Sequence, residues 1–111
     1  MVLNVLYGLY PDFVGRRAII VGNGTGPALY VTGGDTVTLN LPNYYIDALA
    51  GEVLTVSGNY YVRPIPSAVG PRAVWKLKWY YATGASANTE VTASTVLSSE
   101  QLQIGGFCGQ F

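Results

Sequence analysis

Hydrophobic and polar positions alternate along this chain in short stretches broken by glycine and proline, the pattern of half-buried β-strands. The clearest stretch is Ala73 to Tyr81. Ala73, Trp75, Leu77, Trp79 and Tyr81 share one face, while Val74, Lys76, Lys78 and Tyr80 share the other. This predicts a strand with one buried and one wet side, where the lysine stems lie over neighbouring tyrosines. Thr36 to Leu41 turns Val37, Leu39 and Leu41 inward and is stopped by Pro42. Thr89 to Leu97 groups Val91, Ala93, Thr95 and Leu97, Gln101 to Gly106 pairs Leu102 with Ile104, and Arg17 to Val21 reads as a compact apolar strand.

Glu52 to Ser57 and Tyr60 to Ile65 flank Gly58-Asn59, a dipeptide that tolerates positive φ, so the pair predicts a hairpin. Pro64 and Pro66 have no N–H to give a ladder, which sends the end of that second strand to a sheet edge. Only Asn43 to Ala50 offers a helix, and a short one. The fold expected is all-β: one β-sandwich or jelly-roll-like domain over residues 15–111, with about seven to eight short antiparallel strands. Residues 1–14 precede it as an apolar N-terminal arm or first strand. There is no internal repeat and no second domain.

Composition sharpens this picture. Of 111 residues only six are Lys or Arg and six Asp or Glu, with no histidine, yet half are hydrophobic and nine are tyrosine. An ordinary soluble domain is about a quarter charged and carries a net charge away from zero. A surface so poor in charge suits contact with another protein better than contact with water. Dispersed cations at net charge zero leave no footprint for nucleic acid or anionic membrane. The first basic residue, Arg16, follows the apolar start, which Gly8 and Pro11 interrupt, so no secretory signal or membrane span is expected. The lone Cys108 makes no intrachain disulfide and reads as a small apolar packing residue.

Candidate chemistry is thin. Gly22-Asn23-Gly24-Thr25-Gly26 is followed by Pro27 and the strand-like Ala28 to Val31 rather than a helix, so it reads as a turn or flexible loop and not a phosphate cradle. Asp12, Asp35, Asp47, Glu52, Glu90 and Glu100 are dispersed, and Asp35 reads as a turn residue capping backbone amides. Cys108 has no histidine to activate it, and one cysteine with scattered acids offers no metal site. No enzyme activity, cofactor or small-molecule substrate is expected.

Tyrosine is the more informative residue. Tyr44-Tyr45, Tyr60-Tyr61 and Tyr80-Tyr81 are adjacent pairs whose members point to opposite faces of a strand, presenting one of each outward. Candidate partner-binding residues are therefore Tyr44, Tyr45, Tyr60, Tyr61 and Tyr80. The N-terminal Val2, Leu3, Val5, Leu6, Tyr7, Leu9 and Tyr10 join them, as a strand completing the core or an arm laid on a neighbouring subunit. Outward aromatics also suit a carbohydrate-binding module.

Three places give the chain a family likeness: Gly15-Arg16-Arg17 leading into Ala18 to Val21, Tyr30-Val31-Thr32-Gly33-Gly34-Asp35 before an alternating segment, and Trp75-Lys76-Leu77-Lys78-Trp79 followed by Glu90-Val91-Thr92 and Val96-Leu97-Ser98. In this order they resemble the decoration, or cement, proteins of tailed-bacteriophage capsids; Asn43 to Gly70 matches less well. The resemblance implies a structural virion protein without catalytic residues, made in the host cytoplasm. It would bind the outer capsid surface and clamp neighbouring major capsid subunits, as a dimer or trimer. The alternatives are another β-rich virion component, from the tail or head completion, and the carbohydrate-binding module.

Overall fold

A computed structural model describes residues 2–6, 17–39, 44–55, 58–67 and 73–110. It is all-β, with strands β1 (Val2–Leu6), β2 (Arg17–Thr25), β3 (Asp35–Leu39), β4 (Tyr44–Val53), β5 (Tyr60–Pro66), β6 (Trp75–Tyr81) and β7 (Gln101–Gln110), and no helix among the described residues. Six of the strands form two antiparallel three-stranded units, β4-β7-β2 and β3-β6-β5, fewer than the seven or eight antiparallel strands expected. The short β1 stitches the units together. Asn4 to Leu6 pair antiparallel with Val21 to Ile19 of β2, while Val2 and Leu3 pair parallel with Thr38 and Leu39 of β3. Val2–Leu6 thus pairs within its own chain; Tyr7, Leu9 and Tyr10 lie outside the described residues.

Period-two burial builds one core from both units. Ile20 of β2 and Leu102, Ile104 and Cys108 of β7 turn inward on one side; Val37, Val62, Leu77 and Trp79 do so on the other. Trp79 is fully buried, and Val62 of β5 lies against the position of Gly51 in β4. The Trp75 indole N–H, 3.1 Å from the Ile46 carbonyl oxygen, donates a hydrogen bond between the units. The expected inward face of Ala73 to Tyr81 is observed, with Leu77 and Trp79 buried at its centre. β5 is an edge strand, as Pro64 and Pro66 require.

Four local expectations are corrected. Asn43 to Ala50 is not a helix: Tyr44–Val53 is a strand paired with β7. Its register shifts between Ile46 and Ala48, so Asp47 is the extra residue of a β-bulge. The bulge lets Ile46 and Leu49 share one face, and that three-residue spacing is what imitated a helix. Gly58-Asn59 does not close a hairpin, because β4 pairs with β7 and β5 with β6. Gly58 does adopt φ +64°, but its turn carries the chain from one unit to the other. Gly22 to Thr25 is no loop; it continues β2 opposite Ile104 to Gln101.

Thr89 to Leu97 is the fourth. A single bridge between Glu90 and Tyr80 replaces the expected strand. Asn88 and Ser94 take left-handed φ of 66° and 69°, and the Thr95 hydroxyl donates to the Thr92 carbonyl at 2.6 Å. Short polar side chains bonding their own backbone compete with a sheet ladder, and here they win. Val91 and Leu97 are still buried, while Ala93 is exposed.

Candidate interaction surfaces

Three surfaces emerge from this scaffold. The first is built where residues 26–31 run beside residues 94–97. The Tyr30 N–H donates to the Thr95 carbonyl at 2.9 Å, the Ser94 N–H to the Tyr30 carbonyl at 2.7 Å, and the Leu97 N–H to the Pro27 carbonyl at 3.0 Å. Tyr30 points inward and is buried, so alternation turns Leu29 and Val31 out, and Val96 turns out beside buried Leu97. Leu29, Val31 and Val96 are 61, 62 and 62 % exposed, an apolar set on two loops bonded to each other.

A hydrogen-bond hub holds these loops on the sheet. The Tyr30 hydroxyl donates to Glu90 Oε2 at 2.6 Å and accepts from the Trp79 N–H at 3.2 Å, and the Gly33 N–H donates to the same Oε2 at 2.8 Å. Bonds from Tyr30 and Gly33 hold the Glu90 carboxyl below its ordinary pKa, and burial, followed by the neighbouring Glu90, drives the Tyr30 hydroxyl well above its own. The loop amide of Gly33 is therefore satisfied by Glu90, not by Asp35, which opens β3 and whose carboxyl is pushed up by burial. Gly34 sits at φ +104° with the Leu77 carbonyl oxygen 2.5 Å from where a Cβ would stand, so only glycine closes this corner.

The second surface is the outer side of β5–β6. Cross-strand register places Tyr61 opposite Tyr80, Arg63 opposite Lys78 and Ile65 opposite Lys76. Tyr61 and Tyr80 stack with centroids 5.3 Å apart and planes 13° from parallel, and the Tyr61 hydroxyl donates to Asn88 Oδ1 at 3.1 Å. Tyr60 and Tyr81 take the inner side, where Tyr60 meets Trp79 edge-on at 6.3 Å. The adjacent tyrosines of β5 and of β6 thus split between faces, with Tyr61 and Tyr80 outward and Tyr60 against the core.

The third surface is the outer side of β4-β7-β2, where Val21, Ala50, Glu52, Gln103 and Gly105 contribute to a shallow depression of about 350 Å³. Tyr45 lies across Gly109, its ring 2.6 Å from where a Cβ would stand, so this tyrosine roofs its own sheet. Tyr44 belongs to β4 by its backbone. Phe107, 50 % exposed, also lies on this side. No three His, Cys, Asp or Glu residues gather to hold a metal among the described residues. Cys108 is buried in the core, opposite Ile46.

The apolar loop set went unnoticed in the sequence, although the alternation Leu29-Tyr30-Val31 carried the signal once Tyr30 was placed inside. The chain matches no protein-family model, no curated protein and no solved structure.

Proposed function

We propose that this chain is a structural virion protein of the capsid-decoration kind, which docks on the outside of an assembled phage shell and clamps neighbouring major capsid subunits. The observation that carries this reading is the apolar set Leu29, Val31 and Val96, held out on loops tied together by backbone bonds and anchored by Tyr30 and Glu90. Large aliphatic side chains kept in water on an ordered support are a cost to a monomer and a gain to a complex. The low charge of the whole chain supports the same reading. Two three-stranded units sharing one core, in a body 20 Å along its shortest axis, support a β-sandwich. Weak contacts repeated over a symmetric shell add up to strong retention, so no single deep site is required.

The test is co-sedimentation of the purified chain with preformed shells. Saturation at a fixed copy number is expected, and Leu29→Asp with Val31→Asp should weaken binding by about tenfold or more. The melting temperature should barely move, because both side chains are exposed. Undiminished binding by the double variant would remove the apolar loops from the contact.

A further inference from the structure

The outer side of β5–β6 breaks a rule of sheet design. Arg63 and Lys78 are directly opposite one another in the antiparallel register, with side chains on the same face. Like charges in that position, about 5 Å apart at Cβ, repel and weaken the pairing. Lys76 lies two residues from Lys78 on the same face, about 7 Å along the strand. Half of the six cations in this charge-poor chain thus meet on one small area.

Among the described residues no carboxylate holds an outward position in these ladders. The outward positions of β3, β5 and β6 in these ladders are Thr36, Thr38, Tyr61, Arg63, Ile65, Lys76, Lys78 and Tyr80. Glu90 is the described carboxylate whose field is coupled to Lys78, but its bonded oxygen takes the Tyr30 hydroxyl and the Gly33 amide. Among the described residues no ion pair closes on Arg63, Lys76 or Lys78. The stacked Tyr61–Tyr80 pair forms a firm wall at one end of the cationic row.

We infer that this face is a receptor for carboxylates on an acidic protein surface, which add the ion-pairing partners that Arg63, Lys76 and Lys78 do not find among the described residues. Charge complementarity names the partner chemistry: a guanidinium and two ammonium groups present donors at strand spacing, suited to several Asp or Glu side chains. A nucleic-acid strand is less well served, because the two rings stack on each other and three cations neutralise few phosphates. The inference deepens the docking reading above, and rests on it only for the claim that the acidic surface belongs to the shell.

The experiment titrates the full chain with a deca-glutamate peptide, with a ten-nucleotide oligothymidylate in a second arm, following heteronuclear NMR shifts of β5 and β6. Deca-glutamate should perturb Tyr61, Lys76, Lys78 and Tyr80, weaken as salt rises, and lose about tenfold or more in affinity in Arg63→Glu/Lys78→Glu. A second variant, Arg63→Gln, guards against misfolding: it should melt no lower than the parent, because a repulsion is gone, while binding deca-glutamate more weakly. No shift with deca-glutamate at low salt, or tighter binding of oligothymidylate, overturns the inference. Full shell binding by Arg63→Glu/Lys78→Glu detaches the face from the shell and leaves the docking reading intact. Deca-glutamate binding by a chain that ignores shells keeps the receptor and removes the docking reading.

Discussion

Single residues decide whether the loops stay in place. Glu90 accepts from a phenol and a backbone amide with one oxygen, so Glu90→Ala leaves both donors without that partner. A loss of about 1–2 kcal/mol is expected in denaturant unfolding, modest because the carboxyl is only partly buried. The pH dependence follows from the direction of each shift. Glu90 has a depressed folded pKa, so its contribution is present above the ordinary 4.5 and is lost as pH falls through and below that value. Tyr30 has a raised folded pKa, so its contribution is complete below the ordinary 10.0 and is lost as pH climbs beyond it. Glu90→Gln should flatten the acid limb of a stability-versus-pH curve and shrink the alkaline limb only in part, because burial is the larger cause of the Tyr30 shift. Trp79 offers a second residue-scale test. Its indole N–H has no partner among the described residues, so Trp79→Phe gives up volume but no described side-chain hydrogen bond. Trp79→Ala should cost about 3–5 kcal/mol, and Trp79→Phe distinctly less.

At the scale of elements, the sequence was legible where alternation ran through large inward side chains. Trp75 to Tyr81 shows this best, because four inward residues at period two leave no other reading. β4 was illegible for a definite reason. One extra residue at Asp47 changes the parity of the strand, and a pattern reader sees Ile46 and Leu49 as a helical stripe. The partner strand carries the matching signature: a Cβ at Gly106 would collide with the Ala48 carbonyl oxygen beside the bulge. Gly106→Ala should therefore destabilise the fold far more than Gly33→Ala, where only the backbone angle suffers, and thermal melts of the two variants would show it. Thr89 to Leu97 misled in the opposite sense. Its β-branched residues alternate, but Thr95 bonds back to the Thr92 carbonyl in a turn, and Thr92 meets the Tyr81 hydroxyl rather than a ladder partner. The cationic row was visible as Lys76 and Lys78 on one face. Its third member, Arg63, needed the β5–β6 register, which no local pattern supplies.

The molecule as a whole has too little charge to keep copies apart. With net charge zero and only twelve charged residues, self-repulsion in solution is weak. The purified chain should associate at low salt, and sedimentation velocity should show that Leu29→Asp/Val31→Asp relieves it. Two of the candidate surfaces share β6: its Trp79 backbone N–H meets the Tyr30 hub and its Tyr80 bridges Glu90, while its Lys76 and Lys78 belong to the cationic row. The loops carrying Leu29 and Val96 belong to the hub around Tyr30, while Arg63 and Lys78 occupy the back of β3-β6-β5.

β7 lies between β4 and β2, so the strand latest in the sequence is the one that joins its unit together. A ribosome that has reached residue 100 holds two strands, β2 and β4, with their common neighbour still unmade. Assembly of this unit therefore waits for the synthesis of β7. Nascent chains stalled before Gln101 should be cut readily by protease, and resistance should arrive abruptly once Gln110 has cleared the exit tunnel.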